Sequence, residues 1–163
     1  MPDASGMRFH SRKWVKPEDL NANGTIFGGA LLSWIDEECA IYAILQLGNE
    51  RCVTKYMSEI NFVSSAWQGD LIELGVQAVA FGRTSLTLRC EVRNMVTRQT
   101  IIKIDKIVFV GLDEDSHPIE HGYDTVTFDR DRIPRRHAPI PRAPIPQDSR
   151  VGSAVTDVDG GAL

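Results

Sequence analysis

The stretch GGALLSWIDEECAIYAILQL, residues 28–47, decides how the rest of this chain can fold. It contains no proline and is rich in good helix formers, and Gly48-Asn49 follows it as a stop signal. We therefore predict one long helix over residues 28–47. Apolar residues fall on almost every side of this helix, which indicates a helix buried on all sides.

The rest of the first 112 residues alternates between apolar and polar side chains with a period of two, which predicts β-strands. Three runs are long: DLIELGVQAVAF (70–81), TSLTLRCEVRNMV (84–96) and TIIKIDKIVFVGL (100–112). A fourth run, RCVTKYMSEINFV (51–63), is mixed but strand-like. The expected core-facing sets are Ile72, Leu74, Val76, Ala78 and Ala80, then Leu86, Leu88, Cys90 and Val92, then Ile102, Ile104, Val108 and Val110.

The connections between these runs are short. Gly69-Asp70, Gly82-Arg83 and Thr97-Arg98-Gln99 are turn signals, and short connections join antiparallel neighbours. Strands of about ten residues exceed the usual five or six, and long strands curl. We therefore predict an α+β fold, in which a curled antiparallel sheet wraps around one central helix.

The composition changes after Tyr123. Most of the chain's 8 prolines, several arginines and a Gly/Ser-rich end follow it, and such a segment buries too little apolar surface to offset its ordering entropy. We predict one folded domain over residues 8–122 and a flexible tail over residues 123–163. The repeat APIPRAPIP (138–146) also fits a polyproline ligand, although a plain tail is favoured.

Composition excludes several functional classes. A formal charge of -4 gives no support for nucleic-acid binding through bulk electrostatics. The chain has three cysteines, Cys39, Cys52 and Cys90, and they lack CxxC spacing. An odd number without that spacing indicates buried, reduced thiols in a cytoplasm-like compartment. The N-terminus lacks the apolar run of a signal peptide, and CAIYAIL (39–45) is too short to span a bilayer. We expect a cytoplasmic protein without a membrane span.

Asp36 is the first candidate for chemistry. Leu32 and Ala40 lie four positions away on the helix and Ala43 lies seven away, and burying a carboxylate among them is costly unless it has a partner or a task. Glu37 and Glu38 follow directly, so one of the three acids can simply face solvent. The pattern by itself leaves a catalytic and a structural role for Asp36 open.

The loop NANGTIFGG (21–29) precedes this helix. Gly28 and Gly29 open the helix, where backbone N–H groups have no intrahelical partner and can bind an anion or oxyanion. Asn21 and Asn23 each add an amide that donates and accepts. The alternative is an ordinary tight turn with a helix cap, but a donor-rich loop leading to a helix with an acid is the stronger signal.

Other groups of potentially reactive residues give weaker evidence of function. His117 and His121 lie four residues apart, but Pro118 argues against the helix that would align them, so no metal site is predicted. Cys39 needs a histidine base to act as a nucleophile, and the sequence has no histidine between residues 11 and 116. Neither a G-x-G-x-x-G loop nor a Walker-type loop occurs.

The segments NANGTIFGGALLSWIDEECA (21–40) and VTKYMSEINFVSSAWQGDLIELGVQAVAFGRTSLTLRCEV (53–92) closely resemble hotdog-fold acyl-CoA thioesterases of the bacterial short-chain and brain acyl-CoA hydrolase type. The resemblance covers roughly residues 8–121. In that family the catalytic asparagine lies fifteen residues before the catalytic aspartate, as Asn21 lies before Asp36. Asn23 falls within the same motif and ranks second.

The resemblance implies a hydrolase of lipid metabolism that splits acyl-CoA into free acid and coenzyme A. Asp36 would be the general base or nucleophile, Asn21 would act from the other subunit, and the helix N-terminus at Gly29 would polarise the thioester. The turn GRTSL (82–86) would hold the coenzyme A arm, through the residues Gly82, Arg83, Thr84 and Ser85.

The resemblance also implies a homo-oligomer, with two sheets joined edge to edge as a dimer and three dimers as a hexamer. It implies no cofactor other than the coenzyme A of the substrate. Two other functions are weighed. A non-catalytic acyl-CoA binding or sensing module gains nothing from a carboxylate beside a thioester, and a hotdog hydratase or dehydratase needs a histidine near the helix.

Overall fold

The structure, a computed structural model, describes residues 6–133 of the chain. The elements in chain order are β1 (Arg8–Trp14), a short 3-10 helix (Pro17–Asp19), α1 (Gly28–Leu47), β2 (Cys52–Met57), β3 (Asn61–Phe62), β4 (Leu71–Phe81), β5 (Ser85–Asn94) and β6 (Thr100–Gly111).

All six strands form one antiparallel sheet with the order β1-β4-β5-β6-β2, and β3 also pairs with β6. Strands β4, β5 and β6 are joined by the short turns that the sequence predicts. The predicted α+β architecture, a curled antiparallel sheet with one helix against it, is confirmed. Strand β1 was not anticipated, and it forms one edge of the sheet while β2 forms the other.

Helix α1 has the predicted bounds, Gly28–Leu47. Gly48 ends it in the left-handed conformation at φ 62, and its N–H donates to the Ile44 carbonyl at 2.9 Å. One face packs on the sheet, and its buried apolar members are spaced by four residues: Leu31, Ile35, Cys39, Ala43 and Leu47. The prediction of burial on all sides is wrong for the single chain. The opposite face is exposed, and it includes Ile41, whose exposed fraction is 47%.

Two bulges change which strand residues face the core. In β6, Ile107 pairs with Leu88 and Ile104 with Cys90, so Asp105 and Lys106 together oppose a single residue of β5. This shift of one residue reverses the alternation beyond it. Ile107 and Phe109 therefore lie in the core, and the prediction for Val108, which is half-buried, is wrong. Val110 is buried as predicted, with an exposed fraction of 9%.

A second bulge lies in β4 between Ala78 and Ala80, and it places Phe81 rather than Ala80 opposite Leu86. Ala80 is exposed, so its expected core position is also wrong, whereas Phe81 packs against the core. On β5 the predicted core residues Leu86, Leu88, Cys90 and Val92 are all buried.

All three cysteines are free. Cys39 and Cys90 are buried, and the neighbouring Cys90 thiol together with burial raises the pKa of Cys39. Cys52 is half-buried, and burial raises its pKa to about 11. Cys39 and Cys52 are therefore poor nucleophiles at neutral pH.

The segment after β6 lies against the C-terminal end of α1. Buried Gln46 donates from Nε2 to the Thr127 carbonyl at 2.8 Å and accepts at Oε1 from the Thr127 N–H at 2.9 Å. Arg132 donates from Nη1 to the Gln46 carbonyl at 2.9 Å, which satisfies a carbonyl at the helix end. Residues 123–133 of the predicted tail thus contact the domain. Residues 134–163, including the proline repeat, lie outside the described residues.

The substitution Gln46→Met should destabilise the protein. Methionine keeps the length of the side chain but leaves both Thr127 backbone groups without their partner, at a cost of about 1–3 kcal/mol in the free energy of unfolding. Thermal unfolding measures this, with the exposed Gln99→Met as a matched control that keeps the wild-type melting temperature. Equal melting temperatures for both variants would contradict the contact.

Candidate active site

Asp36 lies on the exposed face of α1, beside the edge strand β2. Its Oδ1 accepts a hydrogen bond of 2.6 Å from the hydroxyl of Thr54 on β2. Asp36 is therefore not buried among apolar residues in the single chain, and the sequence had left both placements open. The aspartate has a fixed partner instead, and one of its two oxygens stays free of hydrogen bonds within the described residues.

Thr54 is the site residue that the sequence did not reveal. It lies eighteen positions after Asp36, in the mixed run 51–63 whose alternation does not assign it to a face. The pairing of β2 with β6 brings Thr54 over the middle of α1. A hydroxyl donating to a carboxylate favours one orientation of the acid, which is a property of the folded chain and not of any motif.

The loop before α1 holds the amide of Asn21 in place. Its Oδ1 accepts from the N–H groups of Asn23 at 2.8 Å and Thr25 at 3.3 Å, and its Nδ2 donates to the Thr25 hydroxyl at 2.9 Å. Gly24 completes the turn at φ 76, a conformation that favours glycine. The side chain of Asn23 is exposed, so of the two amides only that of Asn21 is fixed by this network.

Helix α1 begins without a side-chain cap at its N-cap residue, Phe27. A Cβ at Gly29 would lie 2.8 Å from the Phe27 ring, and one at Gly28 would lie 3.2 Å from the Phe62 ring. The two glycines therefore let aromatic rings approach the helix start closely. Gly29 and Asp36 lie on the same exposed face of α1, about 10 Å apart along the axis. This face therefore carries backbone N–H donors at the helix start and the Asp36 carboxylate about two turns later.

Within one chain, the side chains of Asn21 and Asp36 are separate. Within residues 6–133 no hydrogen bond connects them, and the side-chain bonds of Asn21 all stay inside its own loop. Asp36 lies about 12 Å along the axis from the first residue of the helix, and Asn21 precedes that start.

The predicted coenzyme A turn, residues 82–85, is a tight hairpin between β4 and β5. The Gly82 N–H donates to the Ser85 carbonyl at 2.8 Å, and a Cβ at Gly82 would lie only 2.4 Å from the Ser85 hydroxyl. Thr84 is half-buried and accepts from the Gly111 N–H at its carbonyl. Arg83 is exposed, and its Nη1 forms an ion pair of 2.5 Å with Glu120.

His117 and His121 do not form a pair. His117 is exposed and lies 3.9 Å from Asp113, whereas His121 turns toward the hairpin and contacts the Ser85 carbonyl at 3.2 Å. His121 also accepts from the Tyr123 N–H at 3.0 Å, so both of its ring nitrogens have partners. The two histidines therefore lie in different surroundings, His121 against the hairpin and His117 beside Asp113.

Residues 23–101 match the thioesterase superfamily. An uncharacterized acyl-CoA thioester hydrolase of Zymomonas mobilis is 32% identical over 107 residues, which are 64% of this chain and 71% of the relative. The chain belongs to the thioesterase superfamily.

The solved structure of a hexameric thioesterase from Yersinia pestis is similar to this chain, with a TM-score of 0.66 and 27% identity. The match covers 74% of this chain and 97% of that one. The hotdog fold implied by the resemblance is thereby confirmed. An uncharacterized acyl-CoA thioester hydrolase of Buchnera aphidicola is 36% identical over 81 residues, 50% of this chain. That match spans 59% of the relative's length. Within residues 6–133 no helix is both long and apolar enough to cross a membrane.

The hydrogen bonds of Asn21 lead to a prediction about the melting temperature of its variants. Asn21→Ala removes an acceptor for two backbone N–H groups and should cost about 1 kcal/mol, a fall of about 2–4 °C in melting temperature for a chain of this size. Asn21→Asp keeps the accepting oxygen and should melt close to the wild type. Differential scanning calorimetry on both variants measures the difference, and identical melting temperatures would show that the loop does not need this side chain.

Proposed function

We propose that this protein hydrolyses acyl-CoA thioesters to a free acid and coenzyme A, with Asp36 as general base or nucleophile. The observation that carries the proposal is the exposed Asp36 carboxylate, held by Thr54 on the same helix face as the uncapped N-terminus. Membership of the thioesterase superfamily and the descriptions of its relatives support the same activity.

The geometry suits hydrolysis of a thioester. Thr54 occupies Oδ1 of Asp36, which leaves Oδ2 to take a proton from water or to attack the carbonyl carbon. Negative charge then develops on the carbonyl oxygen, and N–H groups around Gly29 at the helix start can stabilise it. The bond to sulfur breaks next, and coenzyme A leaves as its thiol by taking the proton that Asp36 removed from water. If Asp36 attacks directly, the thiol takes its proton from solvent, and water then hydrolyses the acyl anhydride on Asp36 to release the acid.

A second copy of the chain would supply Asn21. In one chain Asn21 and Asp36 are separate, and Asp36 lies beside β2, a sheet edge with exposed apolar residues such as Tyr56 at 52%. An unpaired edge strand next to an exposed helix face favours pairing with another copy. We infer a homodimer with its sites at this seam, and a trimer of dimers, in keeping with the hexameric thioesterase that matches the fold.

Two other functions are distinguishable. A binding or sensing module would bind acyl-CoA without releasing thiol. A hydratase or dehydratase would use a histidine paired with an acid. The only hydrogen-bond partner of the Asp36 carboxylate in the described chain is Thr54. Steady-state release of thiol from acyl-CoA substrates of several chain lengths separates the hydrolase from both alternatives, because neither a binding module nor a hydratase breaks the bond to sulfur.

Asp36→Asn should lower kcat by about a hundred to ten thousand-fold with little change in KM, because the amide keeps the shape but is not a base. Thr54→Val keeps the shape of the threonine and removes only the hydrogen bond, so kcat should fall by about tenfold. A thiol-release assay at saturating acyl-CoA measures both. Full activity of Asp36→Asn would refute the mechanism.

The shared site is tested by mixing subunits. Asn21→Asp and Asp36→Asn should each be inactive, and after exchange at equal amounts the mixed dimers contain one seam with both wild-type side chains. Activity should return to about a quarter of the wild type if subunits pair at random. Proven exchange without recovery would mean that both residues act within one chain.

Arg83→Ala should raise KM for acyl-CoA several-fold and leave kcat close to the wild type. The side chain is exposed on the 82–85 turn, so its loss removes a charge for a phosphate without disturbing the core. Initial-rate kinetics separate the two constants, and Arg12→Ala, an exposed arginine on β1, serves as the control. An unchanged KM would remove this turn from the coenzyme A site.

A further inference from the structure

Residues 119–123 return along the 82–85 hairpin and hold it from outside. The Ile119 N–H donates to the Gly111 carbonyl at 3.0 Å, and the His121 N–H donates to the Arg83 carbonyl at 3.4 Å. The imidazole of His121 adds a contact of 3.2 Å between Nε2 and the Ser85 carbonyl. Backbone and side chain of one residue thus bind two of the four residues in the turn.

The two ring contacts require one state of the imidazole. The Tyr123 N–H is a donor, so Nδ1 must accept from it, and the Ser85 carbonyl is an acceptor, so Nε2 must carry the proton. Only a neutral ring protonated at Nε2 satisfies both. A ring protonated at both nitrogens would direct Nδ1–H at the Tyr123 N–H and lose that contact.

The same ring is part of a stack that reaches the helix. His121 lies parallel to Tyr123, with 6.1 Å between ring centroids, and meets the edge of Phe81 at 6.0 Å. The guanidinium of Arg132 covers the Tyr123 ring at 4.1 Å and also donates to the Gln46 carbonyl. The hairpin is thereby connected, through His121 and Tyr123, to the C-terminal end of α1.

We propose that neutral His121 is a positioning residue that holds the 82–85 turn in the conformation that binds coenzyme A, and that protonation of its ring releases the turn. The inference rests on the proposed function, since that function assigns the turn to coenzyme A. His121 touches no reacting atom and acts through Ser85 and Arg83. The expected effect is therefore on KM and not on kcat.

Two arginines on the segments around the ring each have a partner other than His121. On the hairpin, Arg83 pairs with Glu120, so the carboxylate beside His121 in sequence already has a cation. On the other side Tyr123 stacks under the cation of Arg132. Histidine is the side chain that normally changes charge between pH 5 and 8.

The test compares KM from pH 8 to pH 5.5 in the wild type, His121→Gln and the exposed control His117→Gln. Glutamine keeps a donor for the Ser85 carbonyl but does not titrate. The wild type and His117→Gln should show KM rising by up to about tenfold more than His121→Gln as the pH falls. The comparison between variants matters because a phosphate monoester of coenzyme A itself titrates near pH 6, about equally for all three proteins.

Nitrogen-15 NMR of the imidazole provides a readout that does not depend on activity. At pH 8, His121 should show a protonated Nε2 and an unprotonated Nδ1. A proton on Nδ1, or an identical pH dependence of KM in the wild type and His121→Gln, overturns the inference. A wild type that releases no thiol from any acyl-CoA overturns the proposed function instead, and the NMR result still decides whether the neutral ring holds the turn.

Discussion

The packing of one face of α1 on the sheet is the constraint on which the other features depend. Its side chains repeat every four residues and meet the inward faces of β4, β5 and β6 in a single apolar core. Because a helix has only one face in contact with a single curled sheet, the opposite face must remain uncovered in one chain. Asp36 and the uncapped helix start both lie there.

That uncovered face explains how an acid can be placed on an otherwise apolar helix. In one copy the Asp36 carboxylate remains accessible to solvent and is oriented by Thr54 from the neighbouring edge strand. The apolar residues beside it, including Ile41, are the part of the helix that a second copy would cover. Hydrophobic burial and the placement of the acid therefore lead to the same proposed seam between subunits.

The far end of the helix is organised by a different segment. Residues 119–132 bind the hairpin through His121 and the helix end through Gln46 and Arg132. Buried polar groups need partners, and the amide of Gln46 obtains both of its partners from the backbone of Thr127. This segment lies beyond residues 23–101, the part of the chain that matches the superfamily.

The sequence by itself determined the elements whose signals are local. The bounds of α1 follow from apolar content, the absence of proline and the glycine stop, and the hairpins follow from turn residues between alternating runs. The motif residues Asn21 and Asp36 were also recognisable, because their spacing is a property of the chain.

Only the tertiary structure decided the features that depend on pairing between distant segments. A bulge in β6 reversed the alternation and replaced Val108 with Ile107 in the core, which periodicity cannot anticipate since it assumes unbroken register. The Thr54 hydroxyl meets Asp36 because β2 pairs with β6 above the helix, and His121 meets Ser85 because the chain returns along the hairpin. Side chains brought together by register and packing leave no trace at fixed spacing in the sequence.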